Sequence, residues 1–445
     1  MPRYYDRYDR LVRSVATALL AGAWTPEDLN RQAARFFGRQ QRRDRRRFIR
    51  DLIQNAPTPY PPNPSVLVAH LRSSELFFRL SSAKQVKERA PFIVLETPAF
   101  APLAVFSKLG VPELCAPGDL AAWLEVTPAQ LDWLADVRSQ HGRTVIPVLQ
   151  HYFYAFVEKR LGPPRLIEAP KPRLGAIQRR ILHEILDLLP SHENAHGFVR
   201  GRSCLTGARI HAGEQIVIAL DLANFFNSIP AARVHAIFRC LGYPWAVARL
   251  LTGLCTTATP ACVFSRRPEG AAFNWQARSL YDLPHLAQGA PTSPAIANLS
   301  AWHLDMRLAR LASRFGANYT RYADDLAFSG DDGLVGKLEP FQRLVEAIIR
   351  DEGFSLNAAK TRIMDRSTCQ RITGLVVNEH INVPRKAYDD LKAILHNCVK
   401  YGPGGQNRQA AADFRAHLDG RVAWVEAANA DRGAKLRRMF DCIRW

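Results

Sequence analysis

Carboxylates stand at the ends of apolar runs in two places in this sequence. The run Ile216–Leu220 leads directly into Asp221. Asp324 and Asp325 are adjacent to each other and lie between two apolar-rich runs. A strand that is apolar throughout is buried on both faces, so Asp221 is expected to emerge at the end of its strand. The aspartate pair is expected at the tip of a hairpin.

Three carboxylates at neighbouring strand ends suit divalent cations. Adjacent acids repel each other, which costs free energy unless a cation lies between them. Asp221, Asp324 and Asp325 therefore predict a hard-oxygen site for two Mg²⁺ ions, the arrangement that two-metal phosphoryl transfer requires. The alternative is that Asp324 and Asp325 form an ordinary polar turn. The preceding Tyr322, the flanking strands and the earlier Asp221 favour the metal site.

The elements that must position these acids alternate between strands and helices from Val145 onward. The expected strands are short strand-like runs: Arg165–Ala169, Ile216–Asp221, Asn318–Tyr322 and Thr373–Asn378. The expected helices between them include Ala176–Leu189 and Ala295–Ala312. Such alternation predicts an α+β domain built around a sheet.

The N-terminal third of the chain has a different composition. Residues 1–56 have a helical pattern and are very basic, since nine of the twenty residues from Arg31 to Arg50 are arginine. A proline-rich linker is expected at 57–64 and a further helical region at 65–140. The arginine cluster is either a surface that contacts RNA phosphates or a solvated helix face. Its members are Arg42, Arg43, Arg45, Arg46 and Arg47.

Charge and composition narrow the class of protein. The chain has 445 residues and a formal net charge of +19, which indicates a polyanionic partner, either nucleic acid or an acidic membrane face. A charged N-terminus without an apolar segment predicts no secretory signal, and no run is long enough to predict a membrane helix. The eight cysteines are scattered and form no Cys-x-x-Cys pair, so we expect no zinc site, no disulfide framework and a cytoplasmic location.

The acidic motif resembles that of a known family. Tyr322-Ala323-Asp324-Asp325 resembles the Tyr-x-Asp-Asp box of reverse transcriptases, and the order of the surrounding blocks resembles the retron-type bacterial enzymes. These blocks are Arg165–Arg179, His196–Ser203, Gln288–Asn298, Gly353–Thr361 and Ile372–Leu375. One element departs from the retron pattern, because the family's Asn-Ala-x-x-His appears here as Gly207–His211 without the Asn.

The resemblance implies a fold and an activity. It implies a right-hand polymerase with fingers at 141–215, a palm at 216–383 and a helical thumb at 384–445, preceded by the basic, mainly helical N-terminal extension. The implied activity is RNA-directed DNA polymerisation that copies part of a structured non-coding RNA into branched RNA-linked single-stranded DNA, within an antiphage defence system. The implied partners are the RNA template-primer, dNTPs, the RNA–DNA product and a separate effector protein, without a membrane.

The resemblance also assigns roles at the catalytic centre. Asp221, Asp324 and Asp325 would be metal ligands, together with the backbone carbonyl of Leu222. Lys360 matches the lysine that the family uses as general acid for the leaving pyrophosphate.

Other residues match positions that contact the nucleotide. Phe226 matches the steric gate that excludes a 2′-hydroxyl. Arg165 would bind the triphosphate through its guanidinium, with either Lys159 or Arg160 as a second cation. Gln288 would contact the nucleotide, and Gly289 would let the backbone approach it. His211 matches a retron histidine and is either an RNA contact or a core residue.

Two other functions remain open from the sequence. The chain could be another bacterial reverse transcriptase, of the abortive-infection or group II intron type. It could also be a non-catalytic RNA-binding scaffold, since the charge of +19 would serve that role equally well. The presence of all three carboxylates argues against a scaffold, because buried acids are costly without a metal.

Overall fold

The chain folds into two compact units, each built from discontinuous segments. The computed structural model describes residues 2–21, 24–37, 41–55, 64–82, 99–137, 140, 144, 146–158, 164–265, 275–408 and 410–445. The first unit comprises Met1–Leu189 and Pro230–Thr292, and the second comprises Pro190–Ile229 and Ser293–Trp445. None of the helices in these described ranges combines the length and apolar character needed to cross a membrane.

The first unit is mainly helical. Its α-helices are Pro2–Ala21, Pro26–Phe37, Arg42–Asn55, Pro64–Ser73, Glu75–Ser81, Pro117–Trp123, Pro128–Ala135, Pro172–Glu184, Ala231–Cys240, Trp245–Cys255, Ala261–Phe264 and Trp275–Asp282. Short 3₁₀ turns lie at Ala104–Phe106, Pro147–Leu149 and Leu186–Leu188. Strands β1 (Tyr152–Val157) and β2 (Arg165–Pro170) pair antiparallel, with Tyr154 opposite Glu168.

The N-terminal helices of this unit share an apolar core. In the helix Arg42–Asn55, the buried apolar side chains are Phe48, Ile49 and Leu52. They pack with residues such as Leu19 and Phe77 from neighbouring helices. The helical, basic character predicted for this part of the chain is therefore observed, while most of the predicted proline-rich linker lies outside the described residues.

The second unit contains the central antiparallel sheet. Its strands are β3 (Ile216–Asp221), β4 (Asn318–Tyr322), β5 (Asp325–Gly330) and β6 (Arg362–Asp365), in the order β4-β5-β3-β6. Strand β3 is central and almost wholly buried, which explains its continuous apolar sequence. A separate two-stranded hairpin is formed by β7 (Arg371–Ile372) and β8 (Leu375–Val376).

Helices complete the second unit. They are Cys204–Arg209, Ser293–Ser300, Trp302–Arg314, Asp332–Val335, Leu338–Asp351, Arg385–Tyr401, Phe414–Ala428 and Ala430–Asp441, with 3₁₀ turns at Ala358–Lys360 and Gly404–Gln406. Val217 and Ala327 from the sheet share one core cluster with Leu395, Leu418 and Leu436 from the three C-terminal helices. The sheet is thus supported by a helical layer from the end of the chain.

Some predicted boundaries are confirmed and others are wrong. Strands β3 and β4 have the predicted bounds. The predicted strand Thr373–Asn378 is wrong in its bounds, because only Leu375 and Val376 form a strand. Thr373 and Gly374 form a turn with positive φ angles of 47° and 86°, as two-residue hairpins require. The predicted helix Ala295–Ala312 divides at Ala301 into two helices. The predicted helix Ala176–Leu189 is also displaced, because it begins at Pro172, where proline suits the first turn, and ends at Glu184.

Candidate active site

The register of the central sheet brings the acids of the two motifs together. Asp221 is the last residue of β3 and lies directly opposite Asp325, the first residue of β5. The backbone N–H of Leu222 donates to the carbonyl of Asp324 at 2.9 Å. The strand-end position predicted for Asp221 and the hairpin-tip position predicted for the aspartate pair are therefore both observed.

The tip of the β4–β5 hairpin is held in an unusual backbone conformation. Ala323 has a positive φ of 55°, which matches the mirror-image turns that two-residue hairpins favour. Gly197 lies against this tip so closely that a Cβ added to it would stand 2.6 Å from the backbone nitrogen of Ala323. A glycine is required there because the two backbones are in contact.

A buried polar network lies beneath the same tip, and the sequence did not reveal it. The Arg321 guanidinium is fully buried and donates to both oxygens of Asp305, at 2.7 and 2.6 Å. It also donates to Asn298 Oδ1 at 2.9 Å and to the carbonyl of Ala323 at 3.1 Å. Tyr319 donates its hydroxyl to Asp305 at 2.8 Å. The available signal was an arginine inside a predicted strand, because an arginine that is buried there needs an acid as partner.

Asp221 has partners on both of its carboxylate oxygens. Lys360 Nζ lies 2.6 Å from Oδ1, and Asn357 Nδ2 donates to Oδ2 at 3.1 Å. The Asn357 N–H also donates to the Asp221 carbonyl at 2.8 Å. The Asp221 side chain is buried while that of Lys360 is 57% exposed, so the lysine reaches the acid from the solvent side.

Burial and mutual repulsion disfavour the ionised form of the clustered acids. Burial, followed by the charges of Asp324 and Asp221, raises the pKa of Asp325 to about 6, while Lys360 acts in the opposite direction. A carboxyl group with so high a pKa lies where a further positive charge would stabilise its ionised form.

The donor chemistry of these acids fits a divalent metal ion. Carboxylate oxygens are the hard ligands that Mg²⁺ prefers. Within the described ranges, however, no three His, Cys, Asp or Glu side chains converge closely enough to form a metal-binding group. Asp221, Asp324 and Asp325 would thus hold a metal only with some rearrangement of their side chains, which includes the release of Asp221 from Lys360.

An aromatic cluster lies beside the acidic tip in the second unit. The half-buried Phe226 contacts Phe225 and Phe198, with ring centroids 5.6 and 6.2 Å apart. Phe198 in turn lies 6.4 Å from the Tyr322 ring and is 50% exposed. Phe226 is therefore linked through Phe198 to Tyr322 of the Tyr-x-Asp-Asp turn, and its role as a gate stays a prediction.

His211 is a core residue in this structure. Its side chain is fully buried, and its ring nitrogens lie 2.8 Å from the hydroxyls of Ser329 and Thr320. Burial, followed by the charge of His196, lowers the pKa of His211 to about 3, which keeps the ring neutral. The RNA-contact alternative is corrected, because a side chain with no exposed surface cannot reach RNA.

The predicted nucleotide contacts of the first unit lie on β2 and on the segment that follows the helix Trp275–Asp282. Arg165 is exposed at the start of β2. Gln288 is half-buried, and its carbonyl accepts a 2.9 Å hydrogen bond from the backbone N–H of Glu168. Gly289 has a φ of 134° and lies close to the Glu168 carbonyl. Lys159 and Arg160 lie outside the described residues.

The arginine cluster divides into two groups. Arg42, Arg43, Arg46 and Arg47 are exposed on the helix Arg42–Asn55. Arg45 is buried, with 7% of its surface exposed, and its Nε donates to Asn30 Oδ1 at 2.8 Å. The prediction that Arg45 contacts RNA is corrected, because its guanidinium is committed to the helical bundle.

Comparisons with known proteins give the class of protein. The family model described as reverse transcriptase (RNA-dependent DNA polymerase) matches residues 157–377. Retron Mx65 reverse transcriptase of Myxococcus xanthus is 39% identical over 339 residues, which are 75% of this chain and 73% of that protein. Retron Mx162 reverse transcriptase of the same organism is 35% identical over 339 residues, 73% of this chain and 66% of that protein.

More distant similarities extend to another bacterium and to a solved structure. Retron Ec86 reverse transcriptase of Escherichia coli is 33% identical over 241 residues, 54% of this chain and 66% of that protein. The telomerase of Candida albicans, solved with a fragment of telomeric RNA, is 11% identical with a TM-score of 0.38, covering 82% of this chain and 67% of that one.

The α+β fold and the acidic strand ends are those of a right-hand polymerase, as predicted. The chain belongs to the retron reverse transcriptases, and it is an RNA-directed DNA polymerase. Membership of the reverse transcriptases implies a dependence on divalent metal ions in general.

Proposed function

We propose that this enzyme copies part of a structured non-coding RNA into single-stranded DNA that stays joined to the RNA through a branch. The similarity to retron enzymes supports this type of product. The observation that supports the polymerase activity most directly is the register that sets Asp221 opposite Asp325 at the end of the central sheet. We assign the fingers to 141–215, the palm to 216–383 and the thumb to 384–445.

The reaction is nucleotidyl transfer. An RNA 2′-hydroxyl oxygen attacks the α-phosphorus of a dNTP, a new P–O bond forms, the bond to the β-phosphate oxygen breaks, and pyrophosphate leaves. Two Mg²⁺ ions, held by Asp221, Asp324, Asp325 and the Leu222 carbonyl, would activate the hydroxyl and stabilise the leaving group. The hydroxyl proton passes to water, and Lys360 donates a proton to the departing pyrophosphate oxygen. The exposed stem of Lys360 supports this role, because it lets the ammonium group move.

We assign nucleotide selection to the following residues. Phe226 presents a ring that leaves no room for a 2′-hydroxyl and so favours dNTPs. Arg165 binds the triphosphate, with Lys159 or Arg160 as a second cation. Gln288 and Gly289 contact the nucleotide through the side chain and the backbone respectively.

The RNA partner is bound through positive charge. Arg42, Arg43, Arg46 and Arg47 supply exposed guanidinium groups that suit RNA phosphates. We further propose an antiphage role with a separate effector protein, which membership of the retron enzymes supports.

The test is DNA synthesis on RNA that copurifies with the full chain, supplied with dNTPs and Mg²⁺. We expect a DNA product joined to an RNA 2′-oxygen, and a loss of roughly a hundredfold or more in Asp324→Asn and Asp325→Asn, because several kcal/mol of charge stabilisation disappear. The matched control is Asp332→Asn, an exposed aspartate that begins the helix Asp332–Val335.

The product also separates the remaining alternatives. Unbranched polymer of random sequence would indicate an abortive-infection type of enzyme. Full synthesis by the Asp324 and Asp325 variants would contradict the proposed catalytic centre.

A further inference from the structure

A carboxylate and an imidazole are paired inside the first unit, away from solvent. Glu168 lies on β2 with no exposed surface, and His285 is 1% exposed. His285 Nε2 lies 2.9 Å from Glu168 Oε2, and Thr259 donates its hydroxyl to Glu168 Oε1 at 2.6 Å. Both carboxylate oxygens are thus hydrogen-bonded. Two uncharged side chains could have filled the same buried volume at a lower desolvation cost. The presence of an acid and a histidine here therefore suggests a role beyond stability.

The hydrogen-bond geometry fixes how many protons the pair holds. His285 Nδ1 lies 2.7 Å from the carbonyl of Leu283. Since a carbonyl only accepts, Nδ1 carries a proton. One more proton must lie between Nε2 and Glu168, because neither an unprotonated nitrogen nor a carboxylate can donate. Glu168 and His285 therefore form a buried pair that is neutral in total.

The pair joins three segments of backbone. The N–H and carbonyl of His285 are bonded to those of Thr257, each at 3.0 Å. The Glu168 N–H donates to the Gln288 carbonyl at 2.9 Å. A Cβ added to Gly289 would lie 3.1 Å from the Glu168 carbonyl oxygen. The side chain and backbone of Glu168 together hold the Gln288–Gly289 segment against the strand that begins with Arg165.

The geometry points to Glu168 and His285 as positioning residues that set the affinity for the incoming nucleotide by fixing Gln288 and Gly289 against β2. This inference rests on the nucleotide-binding roles proposed above for Arg165, Gln288 and Gly289. A buried ion pair adds little net stability, because desolvation offsets the attraction, so the pair serves chiefly to fix the geometry of the segments that it joins.

The proton held between His285 and Glu168 predicts that nucleotide binding depends on pH. Burial lowers the pKa of His285, but the charge and hydrogen bond of Glu168 outweigh burial and raise it above its ordinary value. Tyr281, whose ring lies 5.3 Å from His285, and Tyr154, opposite Glu168, have pKa values raised by burial and stay neutral. The interaction is therefore fully present below the ordinary histidine pKa of about 6.5. It is lost as the pH rises through the raised pKa of His285.

The experiment measures steady-state incorporation of dTTP by the full chain on poly(rA) primed with oligo(dT), at about pH 7 and about pH 9. The variants are Glu168→Gln, the double variant Glu168→Gln with His285→Gln, and Thr259→Val. The matched control is His183→Gln, which breaks an exposed His183–Asp187 pair in the same unit.

We expect the dTTP KM of Glu168→Gln to rise about tenfold with kcat within about twofold, because the substitution loosens nucleotide binding rather than chemistry. The wild-type KM should rise with pH, and that rise should vanish in the double variant. Thr259→Val should raise KM by a smaller factor and keep the pH dependence. His183→Gln should match the wild type.

Two results would overturn the inference. The first is a dTTP KM equal to that of the wild type at both pH values, in Glu168→Gln and double-variant proteins that also have the thermal midpoint of the wild type. The second is a fall of about tenfold in the kcat of Glu168→Gln while its dTTP KM stays unchanged. If the glutamate variants do not fold, Thr259→Val decides by the same criteria. A wild-type chain that is inactive both on this template and on its copurified RNA would instead contradict the proposed function itself.

Discussion

The Arg321–Asp305 pair is the clearest case in which single residues shape the acidic tip. Both side chains are fully buried, and the guanidinium also reaches the carbonyl of Ala323. Because Ala323 separates Tyr322 from the two aspartates, the pair fixes the backbone that carries them. Its effect on the carboxylates is indirect and acts through the turn.

Breaking this pair should destabilise the protein strongly. Asp305→Asn leaves a buried guanidinium without its carboxylate, and we expect the free energy of unfolding to fall by about 3–5 kcal/mol. Arg307→Gln is the matched control, since Arg307 pairs with Asp351 and Glu352 at the surface, where about 1 kcal/mol or less is expected. Urea denaturation of both variants checks the difference, and equal losses would contradict it.

The structural environment of some residues could be predicted from the sequence, and that of others could not. Asp221, Asp324 and Asp325 could be predicted because a motif and two apolar runs mark them. Arg321 and Asp305 could not be paired, because a buried ion pair between a strand and a helix leaves no regular spacing. The burial of His211 and Arg45 also depends on tertiary contacts that composition does not encode.

At the scale of elements, a loop and a hairpin meet backbone to backbone. Gly197 belongs to a segment whose carbonyl accepts a 2.8 Å hydrogen bond from Asn298, and it faces Ala323. The hairpin tip therefore has little freedom to move away from this loop. The position of the acids depends on the absence of one methyl group.

Adding that methyl group should impair catalysis. We expect Gly197→Ala to lower kcat by about a hundredfold, because a displacement of about 1 Å at the acidic turn misaligns the reacting groups. Gly420→Ala is the matched control, since no atom lies within 4 Å of an added Cβ there. Primer extension by both variants tests this. An unchanged kcat in Gly197→Ala would contradict the prediction and show that the loop shifts to accommodate the methyl group.

The bounds of β3, a continuous apolar run, and of β4, which mixes aromatic and polar residues, could be predicted to the residue. Boundaries set by local backbone geometry could not. The division of the predicted helix at Ala301 and the Thr373–Gly374 turn interrupt patterns that remain apolar on both sides. Periodicity reports which face is buried, but it does not report where the chain changes direction.

For the whole molecule, the net charge of +19 raises the question of whether RNA binding is local or diffuse. Exposed arginines occur in two settings within the N-terminal helices. Arg43, Arg46 and Arg47 belong to the exposed cluster. Another set is paired with acids on the same helix: Arg13, Arg31 and Arg79.

Replacing either set with glutamine lowers the net charge by three. We expect the cluster variant to weaken RNA binding and to reduce the slope of log K against log salt by about 0.7–0.9 for each RNA phosphate that the variant no longer neutralises. The paired set should leave the slope nearly unchanged, because those charges are already neutralised. Filter binding of copurified RNA over a salt series measures the slopes of both variants. Equal slopes would indicate that RNA responds to the net charge of the protein rather than to the exposed cluster.

The two units interleave along the chain, since Pro190–Ile229 separates the two segments of the first unit. During synthesis on the ribosome, the first unit cannot close until Thr292 has emerged, and the second waits for the C-terminal helices. The N-terminal helices, whose core is local, can assemble long before either event. With the RNA-binding role proposed for their exposed arginines, these helices would let the nascent chain bind RNA before the polymerase can copy it.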